Sequence, residues 1–303
     1  MDGDAPVTRT PLLTGRGAVV VGGSRGVGRA VARLLAAHGV GLVINGRDPD
    51  AVAQAVAAIC SDGYRAVAYP GSAADEAVAR GLVDACVAEY DRIDMLINCA
   101  GIAEPSGSSI LNITTADFAE LLDAHLGTVF QTCRAAAPNM VQQGGGSIIN
   151  TSSLAFLGDY GGSGCPAGKG AVNALTMAIA AELKEQGVRA NVVCPGAKTR
   201  LSSGRAYERH IVYLHRRGML DDASMQGSLD VAPAEYVAPT YGYLASDLAR
   251  HVTGQIFVAA GGFVGRFDRA APALLGYRDH RDSPPWTIGE IHGMVAAKEG
   301  TTG

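Results

Sequence analysis

The run Gly22-Gly23-Ser24-Arg25-Gly26-Val27-Gly28 follows an apolar stretch, Ala18-Val19-Val20-Val21, and leads into apolar residues at helical spacing. Glycines there let backbone N–H groups approach a pyrophosphate, and a helix N-terminus behind them adds partial positive charge. A plain tight turn is the bland alternative, and the flanking strand and helix patterns weigh against it. Two guanidinium groups stand close by in sequence: Arg25 inside the run, and Arg47 after Ile44-Asn45-Gly46. An Arg matches phosphate geometry, although surface arginines are common. Farther on, Arg200, Arg205, Arg209, His210, His215, Arg216 and Arg217 crowd into 18 residues. They suit a carboxylate or the phosphates of a carrier thioester, and a solvated face is the plainer reading. The six cysteines, at 60, 86, 99, 133, 165 and 194, contain no C-x-x-C pair. Neither a zinc site nor a disulfide framework is expected from them.

The elements that must position these groups alternate. Strands are predicted over 18–21, 41–45, 65–69, 93–98, 147–152 and 188–194, with a last strand over 255–259. Helices are predicted over 26–38, 48–61, 74–90, 115–142, 166–186 and 233–246. Asp48-Pro49 reads as an N-cap followed by a first-turn proline. This alternation is the mark of a parallel sheet with crossover helices. Residues 196–232 show no clean period and are expected to form a mobile substrate lid. The expected organisation is an N-terminal tail over 1–14, one domain over 15–264, and a polar C-terminal extension over 265–303.

With 303 residues, 48% hydrophobic and 18% charged, the chain can bury a full core and is neither disordered nor fibrous. A net charge of −4 argues against nucleic acid as a partner. No uninterrupted apolar stretch is long enough for a membrane span. The acidic N-terminus and scattered thiols point to the cytoplasm. Four lysines against 21 arginines, with abundant Ala and Gly, suggest a GC-rich bacterial coding sequence.

The motifs together resemble the short-chain dehydrogenase/reductases. Gly22, Gly26 and Gly28 match the family's T-G-x-x-x-G-x-G, with Val21 in place of Thr. Asn98-Cys99-Ala100-Gly101 matches N-N-A-G after the fourth strand, and Pro195-Gly196 with Thr199 matches the segment after the sixth. Glu235 to Pro239, Gly261 to Gly265, and His125 where most relatives carry Asn look most like the branch containing the dehydrogenase part of peroxisomal multifunctional enzymes. The resemblance spans roughly residues 15–264. It implies a single doubly wound Rossmann-type α/β domain, with a parallel sheet, helices on both faces, and the ligand at the carboxyl ends of the strands. It also implies a nicotinamide cofactor contacted by Gly22, Ser24, Arg25, Gly26, Val27, Gly28, Arg47, Asn98, Ala100, Gly101, Lys169, Pro195, Gly196 and Thr199. An Asp at the end of the second strand would accept from the ribose hydroxyl of NAD. Gly46 and Arg47 stand there instead, so NADP(H) is expected.

The family's catalytic pattern is Ser, then about a dozen residues later Tyr-x-x-x-Lys. Lys169 fits the Lys, and Ser153 fits the Ser, with Ser152 as the off-by-one alternative. Four residues before Lys169 stands Cys165, not Tyr; the nearest tyrosine is Tyr160. A thiol is more acidic than a phenol but a weaker hydrogen-bond donor, so ordinary ketone reduction is expected to suffer. The catalytic candidates are therefore Ser153, Cys165, Lys169 and His125, with no metal. Three functions stand open. The first is an NADP(H)-dependent oxidoreductase on a small organic substrate, with a role in specialised metabolism. The second is a non-redox cyclase or dehydratase. The third is a silent cofactor-binding subunit. A homodimer or homotetramer is expected through helices 115–142 and 166–186.

Overall fold

A computed structural model of the chain describes residues 12–105, 107–160, 162–268 and 271–299. Most of the expected N-terminal tail thus lies outside the described residues. Leu13, at its end, is buried and donates its amide to the His38 carbonyl.

Eight strands form one sheet in the order β3-β2-β1-β4-β5-β6-β7-β8. They are β1 (Gly17–Val21), β2 (Gly41–Gly46), β3 (Ala66–Pro70), β4 (Met95–Asn98), β5 (Gly146–Thr151), β6 (Val188–Gly196), β7 (Ile256–Ala260) and β8 (Phe263–Phe267). All neighbours are parallel except β7 and β8. β8 is an antiparallel edge strand beyond the expected last one. The order reverses between β1 and β4, where Val21 pairs with Asn98. In a doubly wound sheet the ligand crevice opens at that reversal.

Helices cover both faces because the inner strands are apolar on both sides. On one face Val20, Ile97 and Ile149 pack against α1 (Gly26–Ala37), α2 (Pro49–Ser61) and α9 (Ala238–Ala245) through Val31, Leu35, Val52, Tyr241 and Leu244. On the other, Val19, Val21, Leu96 and Ile148 pack against α3 (Glu76–Tyr90), α5 (Thr128–Gln142) and α6 (Gly164–Glu182) through Leu82, Val83, Val129, Met140 and Val172. Asp48 caps α2 as expected, accepting from the Ala51 amide at 3.2 Å.

Two expectations need correction. The helix expected over 115–142 is α4 (Thr115–Leu122), one π-helical turn over Asp123–Gly127, and then α5. Apolar spacing does not reveal such a turn. The segment 196–232 is not without structure: it carries α7 (Arg205–Arg216) and α8 (Asp222–Leu229). On α7 only Ile211 and Leu214 are buried, forming a small cluster with Leu220, and the surrounding charge hides the helical period. The tail, in turn, holds α10 (Ile288–Glu299).

The chain parts into two units between Phe267 and Asp268. In the second, Thr287 and Glu290 form a reciprocal capping box at the start of α10. The Arg278 guanidinium lies 3.4 Å from the Trp286 ring centre and pairs with Glu290.

Candidate active site

The loops leaving β1, β4 and β6 converge at the carboxyl edge of the sheet. Gly22 has φ +72°, and a side chain there would meet the Ala100 amide nitrogen at 2.7 Å. A Cβ on Gly28 would meet the Gly22 carbonyl oxygen at 2.3 Å, and one on Gly26 would meet Thr199 Cγ2 at 3.3 Å. The glycines therefore let the first turn of α1 lie close to the loops carrying Ala100 and Thr199. Pro195 and Gly196 end β6 beside β7, where Gly196 leaves room for Ala260. This cradle of backbone amides at a helix start fits a dinucleotide pyrophosphate.

Beyond β2 the chain carries no acidic residue at position 46 or 47. Gly46 lies against Ser24, whose Oγ would be 2.8 Å from a Cβ at 46. Arg47 is exposed, and Arg25 pairs with the Asp48 carboxylate. Ser24, Arg25, Arg29, Arg33 and Gln54 line a cavity of about 230 Å³ between α1 and α2. Arg29 was not singled out from the sequence, although it lies one turn from Arg33 on α1, with Arg25 at the N-cap four residues before it. Asn98 is buried, donating to Asn150 at 2.9 Å and accepting from Thr132 at 3.0 Å. Its side chain thus ties β4 to β5 and α5.

The catalytic candidates gather where the π turn meets α6. Cys165 and Lys169 lie one turn apart on α6, and His125 lies in the π turn, a feature frequent at functional sites. Cys165 Sγ is 3.4 Å from His125 Nε2. Lys169 is buried and donates from Nζ to the Thr151 carbonyl at 2.9 Å. A Cβ on Gly101 would fall 3.1 Å from His125 Cε1 and 3.8 Å from Lys169 Nζ, so the β4 loop closes over both. The two serines part company. Ser152 is buried, with Oγ donating to the Lys169 carbonyl at 3.2 Å. Ser153 is half-buried, with Oγ accepting from the Ala155 amide at 3.1 Å. Among the described residues no hydrogen bond joins Ser153 to Cys165 or His125. Tyr160 packs with Tyr207 against the Ile211–Leu214–Leu220 cluster.

Burial and Lys169 push the His125 imidazole down to about 3, so it is neutral at ordinary pH. Its Nδ1 is buried without a partner. Burial raises the Cys165 thiol above its usual range; Lys169 opposes this and the Glu104 carboxylate reinforces it. Burial lowers Lys169, which the nearby Cys165, Cys99 and Cys194 counteract. Cys99 and Cys194 are themselves pushed up to about 11 by burial. The centre is thus a neutral thiol–imidazole pair beside a buried amine. Glu104, from the loop after β4, was not singled out in the sequence, because the α6 amides it binds lie some 60 residues away. Among the described residues no His, Cys, Asp and Glu cluster could hold a metal ion. No described helix is long and apolar enough to cross a membrane.

The sequence pattern of the family described as enoyl-(acyl carrier protein) reductase matches residues 21–264. An uncharacterised oxidoreductase of Methylorubrum extorquens is 34% identical, over 82% of this chain and 98% of its own. A 3-oxoacyl-[acyl-carrier-protein] reductase of Synechocystis is 32% identical, over 83% and 98%. The crystal structure of a short-chain dehydrogenase from Mycobacterium avium superposes with a TM-score of 0.78 at 30% identity, covering 95% of this chain and 96% of that one. With the nucleotide cradle, the strand order and these relatives in agreement, the chain belongs to the short-chain dehydrogenase/reductase family of oxidoreductases.

Proposed function

We propose that the protein is an NADP(H)-dependent oxidoreductase of a small organic carbonyl compound, in which Cys165 holds the proton that most of the family holds on Tyr. The observation that carries this reading is the Cys165–His125 contact of 3.4 Å, one helical turn from buried Lys169. Bound in the cradle, NADPH would supply a hydride to the substrate carbon. The chain's own groups manage the proton. Cys165 gives its S–H proton to the nascent alkoxide, and Lys169 stabilises the thiolate left behind. Neutral His125 lies within reach of that sulfur to guide its return to the thiol. Ser153, the serine not turned into the interior, is the candidate second donor to the same oxygen. Arg47, with Arg25 and Arg29, is the candidate 2′-phosphate site.

A thiol donates more weakly than a phenol, and losing one good oxyanion donor costs about 10²–10³ in rate. Simple ketones should therefore turn over slowly, and a substrate needing little acid assistance, such as a conjugated enone or an iminium, should turn over best. We place the protein in bacterial specialised metabolism, on its arginine-rich, alanine- and glycine-rich composition and this altered centre. A cytoplasmic location accords with six cysteines that form no disulfide. The assembly proposed is a homodimer or homotetramer through α4–α5 and α6. His125 is the residue on which a likeness to the branch of the multifunctional-enzyme dehydrogenases is proposed.

The deciding experiment incubates the protein with candidate carbonyl, enone and iminium compounds, with and without NADPH, following both absorbance at 340 nm and products. Consumption of NADPH with reduced product supports the reading. Product without consumption would replace it with a cyclase or dehydratase. No product together with tight NADPH binding would make it a silent subunit.

A further inference from the structure

Helix α6 begins without a cap of its own: Ser163, at its N-cap, makes no side-chain capping bond. Its first amides are taken instead by Glu104. Oε1 accepts from the Ser163 and Gly164 amides, each at 3.1 Å, and Oε2 accepts from the Cys165 amide at 2.5 Å. The Ser108 hydroxyl donates to Oε1 at 2.9 Å, which orients the carboxylate from its own loop. Gly162 makes room for it, since a Cβ there would fall 2.8 Å from Glu104 Cδ.

A cysteine in the first turn of a helix is ordinarily driven toward thiolate by the free amides and the helix dipole. Here those amides are occupied and a negative charge sits against them. Burial acts to raise Glu104, but the amide bonds outweigh it and hold the carboxyl below its ordinary range, so it is ionised at neutral pH. We propose that Glu104 is a positioning residue for the proton donor: by occupying the first amides of α6 it holds Cys165 as a thiol, ready to give a proton, and not as a nucleophilic thiolate. The proposal rests on the reading of Cys165 as the acid of this site. It assigns a purpose to a contact that joins the β4 loop to the catalytic helix over 60 residues of sequence.

The groups facing Cys165 pull in opposite directions. Lys169 and the backbone amide of Glu104 favour the thiolate, whereas burial and the Glu104 carboxylate oppose it. His125, at 3.4 Å, is neutral. Replacing the carboxylate by an amide keeps the Glu104 backbone amide, removes the charge and turns one acceptor oxygen into an NH2 donor that no α6 amide can bond, so both changes leave the helix start less screened. The sign is therefore fixed: more thiolate at any given pH.

The test is the pH profile of iodoacetamide alkylation, followed by mass spectrometry on the Cys165 peptide of the full-length protein. The wild-type midpoint should lie above the free-thiol value of about 8.5. In Glu104→Gln it should fall by about one pH unit, giving about tenfold more thiolate at neutral pH, while Glu104→Asp should stay near wild type. A purely structural cap would change melting temperature but not this midpoint. The proposal is overturned by a folded Glu104→Gln protein with an unchanged midpoint. It is equally overturned by a wild-type midpoint at or below about 8.5, a measurement that needs no variant. NADPH titration by calorimetry is run on the same samples. Failure to bind would overturn the oxidoreductase reading while leaving the thiol result intact.

Discussion

Gly46, at the end of β2, faces Ser24 in the glycine-rich loop after β1: a Cβ on Gly46 would sit 2.8 Å from Ser24 Oγ and 3.1 Å from Val52 Cγ2. Glycine, not an acidic residue, thus ends β2, and exposed Arg47 follows immediately. NADPH should accordingly bind more tightly than NADH in calorimetric titration. Arg47→Ala should weaken NADPH alone, by roughly 1.5–3 kcal/mol, the range for a hydrogen bond to a charged group. Equal loss for both cofactors would show that Arg47 does not read the phosphate.

Cys165→Ala should lower turnover on the true substrate by about 10²–10⁴, as for a positioned general acid, with cofactor affinity unchanged. Steady-state kinetics beside calorimetry separates the two effects. Cys165→Tyr places a stronger donor at the same turn of α6 and should create reduction of simple ketones that the parent performs poorly. A silent Cys165→Ala would move the proton donor elsewhere.

His125 makes stability depend on pH. Its folded value of about 3 lies below the ordinary 6.5, so the unfolded chain binds more protons between those limits. Stability is therefore complete above about pH 6.5 and falls as pH drops toward 3. At pH 5 the loss from this group should be about 2 kcal/mol. Urea denaturation at pH 7 and pH 5 measures it, and His125→Asn should flatten that part of the profile. An unchanged slope in the variant would mean that folding does not shift the proton affinity of His125.

Phe130 and Val141 on α5 are exposed although apolar, at 46% and 37%. An interface through this helix would cover them. Light scattering at micromolar concentration should give two or four times the chain mass of 31.1 kDa. Phe130→Arg should shift that mass downward. A wild-type monomer would rule the assembly out.

The alternation of apolar strands with helical periods, the glycine run at 22–28 and the Asp48-Pro49 cap were legible in the residues alone, because strand burial, positive φ and capping are local demands. So was the one-turn spacing of Cys165 and Lys169, which any α-helix there places on one face. The π turn that carries His125, the helices hidden in the basic segment 196–232, and the final strand β8 were not legible. Their formation depends on packing partners supplied from elsewhere. Sequence spacing could not bring His125 to 3.4 Å from Cys165, since 40 residues separate them and only the crossing of the π turn with α6 joins them. Nor could it turn Ser152 inward and leave Ser153 half-buried, a choice made by the end of β5 against α6. Residue types determined that this chain has a glycine-rich turn between strand and helix and a thiol one helical turn before a lysine. The state of that thiol was decided by tertiary structure, because burial, Lys169 and Glu104 act on it through space and not along the chain.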